Sequence, residues 1–168
     1  MIKAIVYNSN TGFTKKYADM LSEKLGIPCY EGEKAHYVLV ATDEIIFMSW
    51  ISANRLKGYT HIRRSYKIKA ICAVGLGEES EMTRNKIIEN NKIKESIPFF
   101  YLRGGMDKTK LTGFNKFAIN IIEKIVEKSN KKESKDDNGM HNDIREGADY
   151  VDENNLNIIL TWFEANNN

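Results

Sequence analysis

The chain has 168 residues, of which 42% are hydrophobic and 29% charged, and 25 Lys and Arg against 23 Asp and Glu leave a formal net charge of +2. That is the size and make-up of one globular domain able to bury a core without metals or disulfides. The balance is too even for a nucleic-acid surface, no apolar run approaches the roughly 20 residues of a membrane helix, and no signal-peptide pattern follows the short N-terminal run.

In chain order, Ile2–Tyr7 is a short apolar run rich in β-branched residues and predicts a buried first strand, ended by Asn8-Ser9-Asn10. After a polar turn to Gly12, the spacing of Phe13, Tyr17, Met20, Leu21 and Leu25 predicts an amphipathic helix, stopped by Gly26 and Pro28. Ile27–Tyr30 is a candidate second strand, and Lys34–Thr42 leans towards a short helix. Glu44–Met48 predicts a third strand without alternation, as in a parallel sheet covered on both faces. A helix is expected near Leu56–Tyr66, a fourth strand over Ile68–Val74 ended by Gly75-Leu76-Gly77, a polar helix over Ser80–Asn91, and a fifth strand over Ile97–Leu102 ended by Gly104-Gly105. Leu111, Phe114, Ala118, Ile121, Ile122 and Ile125 form a further helical stripe. Lys128–Gly147 is nearly bare of apolar side chains and reads as a mobile polar segment, before a last helix over about 152–165 capped by Asp152.

Strands alternating with helices imply right-handed βαβ units. The expected fold is therefore an α/β three-layer sandwich spanning 1–168 as one domain, with a five-stranded parallel sheet in the order 2-1-3-4-5. Ligands of such sheets lie beyond the carboxyl ends of the strands. The cysteines Cys29 and Cys72 lie in apolar stretches and read as reduced, buried small hydrophobes in a cytoplasmic protein. His36, His61 and His141 have no ligand-like spacing, so no metal site is expected.

The strongest local signal is Ser9-Asn10-Thr11-Gly12-Phe13-Thr14, between the first strand and the first helix. The first turn of a helix carries amides with no internal partner and a positive macrodipole end, which together suit a phosphate. Ser9, Thr11 and Thr14 add hydroxyls, Asn10 an amide, and Gly12 a backbone that allows close approach. The pattern is neither Gly-x-x-x-x-Gly-Lys nor Gly-x-Gly-x-x-Gly. Composition alone fits equally well a helix start that merely caps itself with polar side chains.

The run Ile5-Val6-Tyr7-Asn8-Ser9-Asn10-Thr11-Gly12-Phe13-Thr14-Lys15-Lys16-Tyr17-Ala18-Asp19-Met20-Leu21 resembles the flavodoxin signature at its aliphatic pair, Tyr7, Ser9, Gly12, Thr14, Ala18 and Leu21. The strand spacing extends the likeness to about residue 127. Leu102-Arg103-Gly104-Gly105-Met106-Asp107 is similar to a subgroup related to the flavodoxin-type protoporphyrinogen oxidases.

The resemblance implies a flavodoxin-like fold and a flavin mononucleotide (FMN) cofactor whose phosphate lies on residues 9–14. It also implies two ring loops, Ser49-Trp50-Ile51-Ser52-Ala53-Asn54 and Gly75-Leu76-Gly77. Trp50 would stack on the ring or, alternatively, end a strand as a half-buried core residue. Gly75 and Gly77 would admit the backbone to the ring edge, or form a plain turn. Three departures stand out: the chain is not strongly acidic as many flavodoxins are, Phe13 replaces the asparagine common in flavodoxins, and residues 49–54 contain no glycine.

The function implied is electron transfer through FMN, with a redox partner protein or a small-molecule electron donor or acceptor. The alternative is an FMN-dependent oxidoreductase acting on a quinone, porphyrinogen or other small molecule, which the near-even charge favours because carriers dock through single-signed patches. A third, non-redox class is a phosphate-ligand or partner-binding module that has lost FMN. No acid–base or nucleophilic constellation is evident, and Arg103-Gly104-Gly105 has no assigned role.

Overall fold

The computed structural model describes residues 1–110, 143, 144 and 146–166. Five strands, β1 (Ile2–Asn8), β2 (Cys29–Glu31), β3 (Glu44–Ser52), β5 (Lys67–Gly75) and β6 (Phe99–Arg103), form one parallel sheet in the order β2-β1-β3-β5-β6. That is the doubly wound order expected from the sequence. A two-residue strand, β4 (Arg55–Leu56), turns back antiparallel on β3. A separate two-stranded ladder pairs β7 (Gly105–Met106) with β8 (Ala148–Asp149).

Alternate side chains of each central strand enter opposite cores. Ile5, Tyr7, Ile46, Met48, Cys72, Phe100 and Leu102 pack with Tyr17, Ala18 and Leu21 of α1 (Phe13–Leu25) and Ile159 of α4 (Asn157–Asn166). Val6, Ile45, Phe47, Ile71, Ala73 and Phe99 pack with Tyr59 and Ile62 of α2 (Tyr59–Ser65) and Ile87 of α3 (Glu81–Asn91). Both sheet faces are thus covered, which explains why the strands read as unbroken apolar runs. Helix α1 ends at Gly26, whose φ of 64° is the left-handed stop expected of it, and α3 begins at Ser80, whose hydroxyl accepts from the Thr83 amide at 3.1 Å. Before α4, Glu153–Leu156 forms a 3-10 turn in which the Asp152 carboxylate accepts from the Asn154 amide at 2.8 Å.

Four readings need correction. The short helix expected over Lys34–Thr42 is a single 3-10 turn, Ala35–Tyr37; Ala35 and Leu39 are buried while Tyr37, Val38 and Val40 are exposed, so no amphipathic face continues. The second helix does not start at Leu56 but at Tyr59, because Gly58 at φ 75° breaks the chain between β4 and α2. The third strand runs past Met48 to Ser52, since the ladder with β5 continues through Trp50 and Val74. Cys29 is half-buried at the sheet edge, with its thiol 3.6 Å from the Asp19 carboxylate, so only Cys72 is a core residue.

The helical stripe expected over 111–125 lies outside the described residues. Of the polar segment 128–147, residues 143, 144, 146 and 147 are described. There Asp143 accepts hydrogen bonds from the Gly147 amide at 3.0 Å and the Tyr150 hydroxyl at 2.8 Å.

Candidate functional site

Residues 9–14 lie at the carboxyl end of β1, where the chain rises into α1. Gly12, at φ 98°, takes the left-handed conformation that glycine adopts without penalty, and it starts the helix with no side-chain cap. The Ser9 hydroxyl oxygen accepts from the amides of Gly12 (3.2 Å) and Lys15 (3.3 Å), which curls the loop and leaves the Ser9 proton to donate outward. Among the described residues, the amides of Thr11, Phe13 and Thr14 have no hydrogen-bond partner, and neither has the Thr14 hydroxyl, although Thr14 is 2% exposed. The first turn holds no acidic side chain. Lys15 pairs with Asp19 at 2.6 Å and Lys16 with Asp149 at 2.5 Å. The loop therefore presents neutral N–H and O–H donors, the set a phosphate needs, while the nearby ammonium groups are already paired. The Phe13 side chain is 8% exposed and turned into the protein, so this residue offers the loop only its amide.

The stretch 49–54 is a hairpin and not an open loop. Ser49–Ser52 end β3, Ile51 pairs with Leu56 and Ser52 with Arg55, and Ala53 (φ 48°) and Asn54 (φ 58°) make the two-residue turn. Ser49 is fully buried, and its hydroxyl donates to the Lys57 carbonyl at 2.7 Å. Ile51 packs into the core beside α2 and α3. Trp50 is half-buried, with the Lys57 ammonium 5.4 Å from its ring centre.

Gly75 ends β5, and Leu76-Gly77 follow it on the same edge. A Cβ at Gly75 would stand 2.1 Å from the Tyr101 hydroxyl oxygen, so this glycine is required by packing within the protein. Tyr101 donates to the Gly77 carbonyl at 2.8 Å, and burial pushes its pKa up to about 12, which keeps it a donor. Arg103 braces the same turn, with Nε 3.4 Å from the Leu76 carbonyl, Nη1 3.0 Å from Glu78, and its guanidinium 3.6 Å above the Tyr150 ring. The three segments that the sequence singled out thus converge at the carboxyl ends of β1, β3 and β5.

A family model described as a flavodoxin domain matches residues 4–134. The chain belongs to the flavodoxin domain family. Comparison with curated proteins finds no match. Membership makes the protein flavodoxin-like in fold and in its redox class. Among the described residues no group of His, Cys, Asp and Glu could hold a metal ion, and no helix is long and apolar enough to cross a membrane.

The flavodoxin domain also carries a cleft of about 480 Å³ at the carboxyl ends of β1 and β2, which sequence patterning gave no sign of. Asn8, Gly32, His36, Lys57, Gly58 and His61 contribute to its walls. The Asn8 side chain, one of the lining residues, donates to the Lys57 carbonyl at 2.9 Å and leaves no room for a Cβ at Gly32 or Gly58. Tyr101, Arg103 and Tyr150, which hold the Gly75–Gly77 turn, were missed as well. Only the placement of Arg103 at the end of the fifth strand hinted at their part.

Proposed function

We propose that this flavodoxin domain binds FMN and passes electrons between a donor and an acceptor. The observation that carries this reading is the cluster of unpartnered donors at residues 9–14: three amides, the Thr14 hydroxyl and the outward Ser9 hydroxyl. Bound FMN supplies the redox chemistry, and the chain supplies the grip and the surroundings. Residues 9–14 would hold the phosphate. The hairpin carrying Trp50 and the turn Gly75–Gly77 would flank the ring, with Lys57 placing a positive charge at its edge. The tie between Tyr101 and Gly77 fixes the second of these supports before any ligand arrives.

The second reading is an FMN-dependent oxidoreductase acting on a small molecule such as a quinone or porphyrinogen. The open cleft beside Asn8, lined by His36, His61 and Lys57, favours it as a place where a small substrate could sit.

Titration of the apoprotein with FMN and with riboflavin tests both. One FMN per chain, a yellow complex, and much weaker riboflavin binding are expected. A colourless protein that binds neither would overturn the redox reading. Two separate one-electron steps in an anaerobic potentiometric titration support the carrier, and direct two-electron turnover with a quinone supports the enzyme.

A further inference from the structure

The phosphate loop is joined to the far end of the chain through one side chain, Phe13. Its ring stands against Gly105: a Cβ added there would stand 2.5 Å from Phe13 Cε1 and 2.8 Å from Cδ1. On its other side the same Cβ would stand 2.3 Å from the Ala148 carbonyl oxygen. Gly104 has no spare room either, since a Cβ there would stand 2.5 Å from Val74 Cγ1. Ring, glycine backbone and strand β8 are therefore stacked without space for a methyl group, and the pairing of Gly105 with Asp149 and of Met106 with Ala148 holds the stack together.

The same C-terminal stretch grips the next positions of α1. Asp149 takes the Lys16 ammonium, which stands 5.1 Å from the Phe13 ring centre. The fully buried Tyr17 donates to the Arg103 carbonyl at 2.7 Å and accepts from Asn155 Nδ2 at 2.8 Å and the Asp152 amide at 3.3 Å. Residues 13, 16 and 17 span the first turn of α1, the turn whose amides point into the loop. Holding these three side chains fixes the rotation of that turn about the helix axis. Donors aimed in advance bind more tightly than donors that must first be ordered.

We propose that Phe13 is a positioning residue for the phosphate: wedged against Gly105 and backed by β8, it sets the direction of the Phe13 and Thr14 amides. This assigns a role to the Gly104-Gly105 pair: Gly105 admits the ring and the strand beside it, and Gly104 leaves room for Val74. The inference rests on the FMN reading above. It adds that phosphate affinity is set by side chains that never touch the phosphate.

The test compares FMN with riboflavin in wild type, Gly105→Ala, Phe13→Leu and the double variant, by fluorescence titration alongside thermal melting. Gly105→Ala is expected to raise the FMN dissociation constant about tenfold and to move the riboflavin constant by less than about twofold. Phe13→Leu alone is expected to raise the FMN constant by a similar factor, because the wedge is lost, and the double variant to bind FMN no more weakly than Gly105→Ala, because both changes remove the same contact. Equal losses for both ligands, or simple additivity in the double variant, would overturn the positioning role and leave ordinary packing. A wild type that does not distinguish FMN from riboflavin would instead overturn the phosphate reading itself, and the inference with it.

Discussion

The Tyr101 hydroxyl occupies the space that a side chain at Gly75 would need, leaving 2.1 Å between the two. Gly75→Ala therefore forces Tyr101 off the Gly77 carbonyl. Overpacking of this kind costs about 1–3 kcal/mol. The urea midpoint of Gly75→Ala should fall accordingly with an unchanged slope, whereas Tyr101→Phe should lose only about 1 kcal/mol, the worth of one hydrogen bond.

Thr14 is the most enclosed hydroxyl of the phosphate loop. Thr14→Ala removes a donor to a charged group, worth about 1.5–3 kcal/mol, so FMN affinity should fall roughly tenfold or more while riboflavin affinity holds. Isothermal titration with both ligands measures this. An unchanged FMN constant would remove Thr14 from the phosphate site.

Ala53 adopts a φ of 48° without being glycine. The left-handed region costs an ordinary residue about 1–2 kcal/mol, and glycine returns about 0.4–1 kcal/mol of that as entropy of the unfolded chain. Ala53→Gly should raise the melting temperature, and Ala53→Val, β-branched at positive φ, should lower it.

The Asp149 carboxyl is held below its ordinary value, first by the hydrogen bond from Lys16, with the Val151 amide and the charges of Lys16 and Lys110 adding to it. A carboxylate whose folded pKa is depressed adds stability above its unfolded pKa, near 3.9, and that stability is lost as the pH falls through the lower folded value. Denaturation midpoints at pH 5 and pH 3 should therefore differ, and Asp149→Asn should narrow the difference. A difference equal to that of wild type would dismiss the contribution of this pair.

The parallel sheet was legible because each central strand is apolar on both faces, and the donor-rich turn at residues 9–14 was legible because Gly12 and its hydroxyl neighbours sit where the first strand feeds the first helix. What stayed hidden was set by tertiary contact. β4, β7 and β8 are two residues long, too short for any periodicity to register. Ser49–Ser52 looked like a loop because its polar residues disguise a strand, and the buried Ser49 is satisfied by the Lys57 carbonyl eight positions on. Phe13 stood out in sequence as an aromatic at a polar position, but its reason, the bare backbone of Gly105, lies more than ninety residues away.

With Lys15 and Lys16 paired to Asp19 and Asp149, a phosphate bound as proposed would be held mainly by the dipoles of amides and hydroxyls. Mobile ions screen charge against charge over about 10 Å at 0.1 M salt, but they weaken short, dry contacts between amides and an oxyanion far less. Cofactor retention in this protein should then be nearly indifferent to ionic strength, so that the concentrated salt that strips ligands from lysine-lined sites would leave this one loaded.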